Sequence, residues 1–295
     1  MKNFVLKLSD EDNVAVARKN LQKGDFGALS QIPFGHKIST RIILEGEPII
    51  KYGQVIGYAN NDINLGEHLH THNVDYREVD KNYEFSDNYV PKNVNLDNTK
   101  SNFMGFKRSN GLVGTRNTIA ILTSVNCSAT AARMIAEHFS DDKIKAYPNV
   151  DNVTAFVHAT GCGMADNGDG FEALQRVLWG YAKNPNVAGV LLVGLGCEIN
   201  QIDWLLESYQ IKQGPQFQVL NIQNLCGLRK TVEKGIEKIY QMLPKVNKMN
   251  RSICSASDLT LGLQCGGSDA WSGITANPAL GFACDLLISK GGTGV

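Results

Sequence analysis

The chain has 295 residues, of which 43% are hydrophobic and 20% are charged, and its 29 Lys and Arg residues balance its 29 Asp and Glu residues. A net charge of zero gives no electrostatic reason to expect binding to nucleic acid or to an anionic membrane surface. We expect neither a signal peptide nor a membrane span, since no run of about 18 apolar residues is present. Seven cysteines without a CxxC pair indicate reduced thiols and a cytoplasmic location.

Residues 4–74 have the pattern of a small β-rich module. Short alternating segments at 37–44 and 47–52 are separated by glycine turns, which is typical of strands. Residues 13–21 are the one predicted helix in this part, because apolar residues recur on one side of a helical projection.

A change of composition separates this module from the remainder of the chain. Residues 76–102 are rich in Asn, Asp, Lys and Tyr, so we interpret them as a linker between a domain at 1–75 and one at 103–295. In the second domain, apolar runs alternate with amphipathic helices, which predicts an α/β fold with a mostly parallel sheet covered on both faces. The runs lie at 119–123, 153–157, 187–194, 219–222 and 259–263, and the helices at 128–139, 170–182, 203–211, 228–242 and 278–289.

Side chains that bind metals or transfer protons follow several of these strands. They are His158, Cys162, Cys197, Glu198, Cys265 and Asp269, and Cys127 closes a further apolar run. Ligands bind where the strands of such sheets end, so these residues predict an active site at that edge. The alternative is that the cysteines are buried and inert and that the histidine serves only its own loop.

The N-terminal module carries a second set of candidates. His68, His70 and His72 alternate, so on a strand their side chains would share one face and could bind a metal or a substrate. An exposed strand edge is the alternative. Gly35 lets the backbone of a turn approach a ligand, with His36 beside it and Lys37 placed to hold a carboxylate, although a solvated turn explains the same residues.

These segments together resemble the altronate/galactarate dehydratase family of sugar-acid hydro-lyases. The N-terminal module is similar to that family's small β-clip (SAF) domain. The motifs that carry the resemblance are Gly35-His36-Lys37, Gly66-Glu67-His68-Leu69-His70-Thr71-His72-Asn73, Gly114-Thr115-Arg116-Asn117, Gly194-Leu195-Gly196-Cys197-Glu198, and Gln264-Cys265-Gly266-Gly267-Ser268-Asp269 with Ser272 to Pro278.

The resemblance implies the loss of water from a six-carbon sugar acid during hexuronate catabolism. The expected reaction converts D-altronate to 2-keto-3-deoxy-D-gluconate, because the three-histidine tract is closer to altronate dehydratases. Galactarate is the alternative substrate, since residues 123–127 and 147–151 are closer to that branch. The resemblance also implies a divalent metal, iron(II) or else manganese(II), which would stabilise the enediolate formed when a proton leaves carbon 2.

Roles for individual residues follow from this expectation. The expected metal ligands are His68, His70, His72, Cys162, Cys197, Glu198 and Cys265, and the expected catalytic residues are His36, Lys37, Arg116, His158 and Asp269. Of these, His158 is the expected base, and Lys37 or Arg116 the expected carboxylate clamp. We expect the site to lie in the cleft between the two domains.

Members of the family continue past the position of Gly291-Gly292-Thr293, so the domain at 103–295 is expected to be incomplete. Two interpretations follow: a sugar-acid-binding remnant without activity, or an enzyme that works with a second chain. A sulfo-lyase acting on sulfolactate is a further alternative, which the fusion of the two modules disfavours. Association with further copies of the chain is left open.

Overall fold

The computed structural model of the protein describes residues 4–77, 101–139, 141–264 and 271–295. The chain forms two compact units. The first unit takes its residues from Met1–Asn95, Leu261–Ser289 and Gly294–Val295, and the second from Leu96–Thr260 and Lys290–Thr293.

The N-terminal part of the first unit is built from short antiparallel strands. They are β1 (Val5–Leu6), β2 (Val14–Ala17), β3 (Lys37–Ser39), β4 (Pro48–Lys51), β5 (Gln54–Ala59), β6 (His68–Leu69) and β7 (Val74–Asp75). One sheet has the order β1-β2-β3-β6 and another the order β4-β5-β7. Fully buried Ile38, Ile49 and Leu69 lie on these strands and form much of the core.

The predicted helix at 13–21 is wrong, because this segment contains strand β2. All four residues of β2 are buried: Val14 packs into one hydrophobic cluster, whereas Ala15 and Ala17 pack into another. A strand covered on both faces loses the polar alternation that identifies strands in a sequence. The Asn13 side chain anchors the strand, since it donates to the Pro48 carbonyl at 2.8 Å and accepts from the Ile50 amide at 2.7 Å.

The rest of the chain contains the predicted alternation of strands and helices. The elements are β8 (Asn102–Lys107), β9 (Val113–Gly114), β10 (Thr118–Thr123), α1 (Ala129–His138), α2 (Asp141–Ile144), β11 (Asn152–Phe156), α3 (Asp169–Ala182), β12 (Val187–Gly194), α4 (Ile202–Ser208), β13 (Phe217–Asn221), α5 (Leu228–Val246), β14 (Ser252–Ser255), β15 (Thr260–Leu261), α6 (Ala276–Ser289) and β16 (Thr293–Gly294). Strand β8 pairs with β9 and β14, and β15 pairs with β16.

The centre of the second unit is a parallel sheet of order β11-β10-β12-β13. Its two faces are covered by different helices because successive side chains of a strand point to opposite faces. On β10, Ile119 and Ile121 pack with α1 and α5, whereas Ala120 and Leu122 pack with α3 and α4. The predicted fold class, α/β with a mostly parallel sheet and a small β-rich N-terminal domain, is confirmed.

Most of the predicted linker lies outside the described residues, which resume at 101. In the parts of the chain that the structure describes, no helix combines the length and the apolar character needed to cross a lipid bilayer.

The core of the parallel sheet gives a direct test of the fold. Leu191 on β12 is fully buried, so replacing it with Ala should lower the free energy of unfolding by about 2–5 kcal/mol through lost burial and a cavity. Val177→Ala is the matched control, because Val177 on α3 is 53% exposed. Urea unfolding followed by circular dichroism measures both variants, and equal stability of the two would contradict the predicted packing.

Candidate functional site

Strand pairing in the first unit brings four imidazoles together. Antiparallel β3 and β6 pair with Ile38 opposite His68, which places the loop before β3 beside β6. His36 Nδ1 lies 2.9 Å from His68 Nε2, and the His36 and His70 rings stack with centroids 5.0 Å apart. The His72 ring lies 5.5 Å from that of His68. We call His36, His68, His70 and His72 the imidazole cluster.

A turn after β6, and not the predicted alternation along one strand, brings the imidazoles together. Strand β6 ends at Leu69, and residues 71–73 form a turn, so the prediction that His68, His70 and His72 lie on one strand is wrong. Buried Asn73 closes the turn: its side chain accepts from the His70 amide at 3.0 Å and donates to the His68 carbonyl at 2.9 Å. This local bonding competes with continuation of the strand.

Burial and electrostatic repulsion lower the pKa of two histidines in the imidazole cluster. Burial, with repulsion from the neighbouring imidazoles and Lys37, lowers the pKa of His68 from 6.5 to about 4. Burial also lowers the pKa of His36, with smaller contributions from His70 and Lys37. His68 is therefore neutral at pH 7. Because the facing ring nitrogens of His36 and His68 are in hydrogen-bonding contact, one of them donates a proton and the other accepts it.

A small pocket of about 190 Å³ adjoins the cluster. It is lined by Lys37, Ile56, Leu69, His70, Thr71 and Val74. Burial lowers the pKa of Lys37 from its ordinary value. An ammonium group among apolar walls attracts a carboxylate more strongly than one in bulk water, because the local dielectric constant is lower. This pocket can therefore accept the carboxylate end of a small acid.

Three thiols lie in the loops that follow neighbouring strands of the second unit. Cys127 comes after β10, Cys162 after β11 and Cys197 after β12, and all three are exposed. Burial raises the pKa of the Cys127 thiol, and the thiols of Cys162 and Cys197 raise it further. We call these residues the thiol cluster. The prediction that polar groups collect at this edge of the sheet holds for them.

Buried polar groups fix the loops that carry the thiols. The Glu198 carboxylate accepts from the Ser124 hydroxyl at 2.7 Å, from the Leu195 amide at 3.1 Å and from the Gly196 amide. The Asn126 amide donates to the Thr160 carbonyl at 2.8 Å, which ties the loop after β10 to the loop after β11. Glu198 is only 3% exposed, so its carboxylate is engaged within the protein.

Gly161 makes the close approach of these two loops feasible. Its φ is +100°, and a Cβ atom there would lie 2.6 Å from the Ser124 carbonyl oxygen and 2.9 Å from Val125 Cα. Any side chain would therefore push the loop that carries Cys162 away from the loop that carries Cys127.

The other predicted residues have different surroundings. His158 Nε2 lies 2.8 Å from the Thr123 carbonyl, and its Nδ1 accepts from the Thr160 amide at 3.3 Å, so both ring nitrogens contact the backbone. Arg116 precedes β10, at the end of the strand opposite to the thiols, and is exposed. Cys265 and Asp269 lie outside the described residues. The roles predicted for all four stay predictions.

Two residues were missing from the predicted site. The sequence places Cys127 at the end of an apolar run, as it places Cys162 and Cys197 after the adjacent strands, but no ligand or catalytic role was predicted for Cys127. Asn73 follows the histidine tract directly, and its importance depends on hydrogen bonds that a sequence does not display.

The expected metal can be tested against these donors. Imidazole and thiolate groups suit divalent transition metals. Within the described ranges, however, no three His, Cys, Asp or Glu side chains are arranged to hold a single metal ion. In the imidazole cluster, His36 Nδ1 and His68 Nε2 are in hydrogen-bonding contact at 2.9 Å, so one of the two nitrogens carries the shared proton and does not offer a lone pair to an ion. The described side chains therefore form no single-ion site, and the metal stays a prediction because Cys265, one of its predicted ligands, lies outside the described residues.

Three family models match successive parts of the chain. The altronate/galactarate dehydratase SAF domain matches residues 3–77, the second domain of D-galactarate dehydratase/altronate hydrolase matches residues 105–247, and the C-terminal part of D-galactarate/altronate dehydratase matches residues 256–295. The fold and these matches define a chain with an N-terminal SAF domain followed by an α/β domain of one enzyme family. The chain belongs to the altronate/galactarate dehydratase family.

Curated relatives agree with this assignment. The altronate dehydratase of Bacillus subtilis strain 168 is 34% identical over 304 residues, which cover 100% of this chain and 59% of the relative. The altronate dehydratase of Escherichia coli strain K12 is 33% identical, covering 98% of this chain and 59% of the relative. The galactarate dehydratase (L-threo-forming) of the same strain is 35% identical, covering 98% and 58%. The chain thus spans less than two thirds of the length of these relatives.

The charge state of His68 can be measured directly. NMR titration of the histidine rings should place its midpoint near pH 4, because burial and cationic neighbours disfavour the protonated ring. Between about pH 6.5 and 4 the unfolded chain then binds a proton that folded His68 does not, so this contribution to stability falls as the pH falls. His68→Gln should reduce that pH dependence, whereas a His68 midpoint at 6.5 or above would contradict the described surroundings.

Proposed function

We propose that this chain carries the substrate-binding and proton-transfer groups of a sugar-acid hydro-lyase that acts on a six-carbon aldonic acid, with altronate as the favoured substrate. The observation that supports the proposal best is the imidazole cluster beside the Lys37 pocket, in a chain of the dehydratase family. Elimination of water next to a carboxylate requires both a cation for the carboxylate and a group that moves a proton.

Lys37 is assigned to the carboxylate. It lies half-buried on β3 and lines the small pocket, so its ammonium group can pair with the substrate's carboxylate. Removing the proton at carbon 2 adds negative charge to that carboxylate. A cation already in place stabilises this charge without rearrangement of solvent.

His70 is assigned to proton transfer. A group with a pKa of about 4 is a weak base at pH 7, which argues against His68 in this role. His70 lines the pocket, and its Nδ1 lies 3.1 Å from the Thr71 hydroxyl oxygen. When Nδ1–H donates to that hydroxyl, Nε2 is left unprotonated and can accept a proton.

The proposed elimination conserves protons and electrons, and its only products are the 2-keto acid and water. His70 takes the proton from carbon 2, the electron pair forms the C2–C3 double bond, and the C3–O bond breaks. The imidazolium returns its proton to the departing hydroxyl, which leaves as water. The remaining enol then becomes the 2-keto-3-deoxy acid by moving its hydroxyl proton to carbon 3. For altronate, the product is 2-keto-3-deoxy-D-gluconate.

Galactarate is the second candidate substrate, because a galactarate dehydratase is among the relatives that match almost the whole chain. It carries a carboxylate at both ends, whereas altronate carries one. Steady-state assays with each acid compare kcat/KM directly. A higher value for galactarate would replace altronate as the substrate while keeping the reaction class.

The proposal predicts that His70→Gln lowers kcat for water elimination by about 10²- to 10⁴-fold, the usual contribution of a positioned acid–base group. The protein is incubated with altronate, and the 2-keto acid is measured as its semicarbazone. His138→Gln is the matched control, because His138 on α1 contacts Lys143 and Tyr240 in the second unit.

Full turnover by the His70→Gln variant would refute the assignment of His70. Binding of both acids without any 2-keto product from the unaltered protein would refute the proposed activity. Circular dichroism and thermal unfolding of each variant show whether a loss of turnover reflects a loss of the fold.

A further inference from the structure

We propose that Trp271 is a positioning residue of the candidate site, because its indole packs against the turn before β3 and holds His36 in the imidazole cluster. The Phe34 and Trp271 rings stack with their centroids 5.2 Å apart and their planes 22° apart. The indole nitrogen lies close to Gly35, since a Cβ atom built on that residue would be 3.8 Å from it. His36 follows Gly35 directly in the sequence. Trp271 and this turn belong to the same compact unit.

Hydrogen bonds hold the backbone of the turn before β3, and Trp271 holds its aromatic side chain. The His36 amide donates to the Pro33 carbonyl at 3.1 Å, and the Phe34 amide donates to the Asn20 side-chain oxygen at 2.8 Å. Phe34 is 53% exposed, so burial in the core does not fix its ring. Offset stacking of two aromatic rings is directional, and it therefore gives the Phe34 ring a defined place.

The segment that carries Trp271 is a hydrogen-bonded turn ahead of α6. The Trp271 carbonyl accepts from the Ile274 and Thr275 amides, each at 3.0 Å, and from the Thr275 hydroxyl at 2.9 Å. A second contact joins this segment to the N-terminal strands: a Cβ atom built on Gly273 would lie 3.1 Å from Cε2 of Tyr52, in the turn between β4 and β5. Contacts with two separate turns fix the direction in which the indole points.

His36 connects this packing to the chemistry. Its Nδ1 lies 2.9 Å from His68 Nε2, and its ring stacks on that of His70, the proposed base, with centroids 5.0 Å apart. A displacement of about 1 Å at a reacting group can lower the rate about 10²-fold. Lys37 is held differently, because β3 pairs at this residue with both β2 and β6. Loss of the indole should therefore impair proton transfer more than binding of the carboxylate. This consequence rests on the proposed function, whereas the packing does not.

The first test compares Trp271→Ala with Trp271→Phe in steady-state turnover of altronate by the full chain. Trp271→Ala should lower kcat by about 10- to 100-fold and change KM by less than about threefold, because the base is displaced and the Lys37 pocket is not. Trp271→Phe keeps a ring that can stack, so it should restore about half of kcat or more.

Trp204→Ala is the matched control, because Trp204 on α4 is 47% exposed, contacts the Phe171 ring and lies in the second unit. It should keep the kcat of the unaltered protein. Full kcat in Trp271→Ala, or an equal loss in Trp204→Ala, would overturn the proposal.

The second test needs no turnover. The ring-proton NMR resonances of His36, assigned with a His36→Gln variant, should shift in Trp271→Ala at pH 7 because the ring moves relative to His70, and they should not shift in Trp204→Ala. Phe34→Leu removes the other half of the stack from an exposed position, so it should produce the same shift. The double variant should add little to either single change.

Unchanged His36 resonances in folded Trp271→Ala, or additive shifts in the double variant, would overturn the proposal. Circular dichroism shows whether each variant is folded, and Phe34→Leu decides the question if Trp271→Ala does not fold. Absence of turnover in the unaltered protein would refute the proposed function, and the His36 resonances would then decide the role of Trp271 by themselves.

Discussion

The antiparallel pairing of β3 with β6 is the interaction on which the candidate site of the first unit depends. Because Ile38 lies opposite His68, the two residues that precede Ile38, namely His36 and Lys37, lie beside the histidine tract. The pairing is held by a core in which Ile38 and Leu69 are fully buried. Burial stabilises the strands, and the same burial keeps His68 neutral at pH 7. Packing and chemistry are therefore linked at this position.

In the second unit, the strand arrangement of the parallel sheet likewise brings the candidate side chains together. Parallel strands of the central sheet end at one edge, and the loops that follow them carry Cys127, Cys162 and Cys197. The buried carboxylate of Glu198 accepts hydrogen bonds that hold two of those loops in place. Glu198 could bind a metal by its chemistry, but its carboxylate stabilises the loops instead. The three exposed thiols are not engaged in this way.

Much of the fold could be predicted from the sequence, because long apolar runs such as that of β12 and amphipathic helices such as α5 report burial directly. The small N-terminal domain was harder. Strand β2 is buried on both faces, and this removed the alternation that would have identified it. The turn after Leu69 depends on the Asn73 side chain, and the engagement of Glu198 depends on Ser124, which is 74 residues away in sequence. Contacts between distant residues leave no periodic signal.

The central claim is that Lys37 in its pocket binds the carboxylate of a sugar acid. Calorimetric titration with a 3-deoxy aldonic acid, which has no hydroxyl to lose at carbon 3, measures binding apart from turnover. Lys37→Met is expected to weaken binding by about 10- to 100-fold, the value of a charged hydrogen bond. Exposed Lys23, replaced by Met, should leave the affinity unchanged. Equal affinity of the Lys37→Met variant and the unaltered protein would show that Lys37 does not bind the carboxylate.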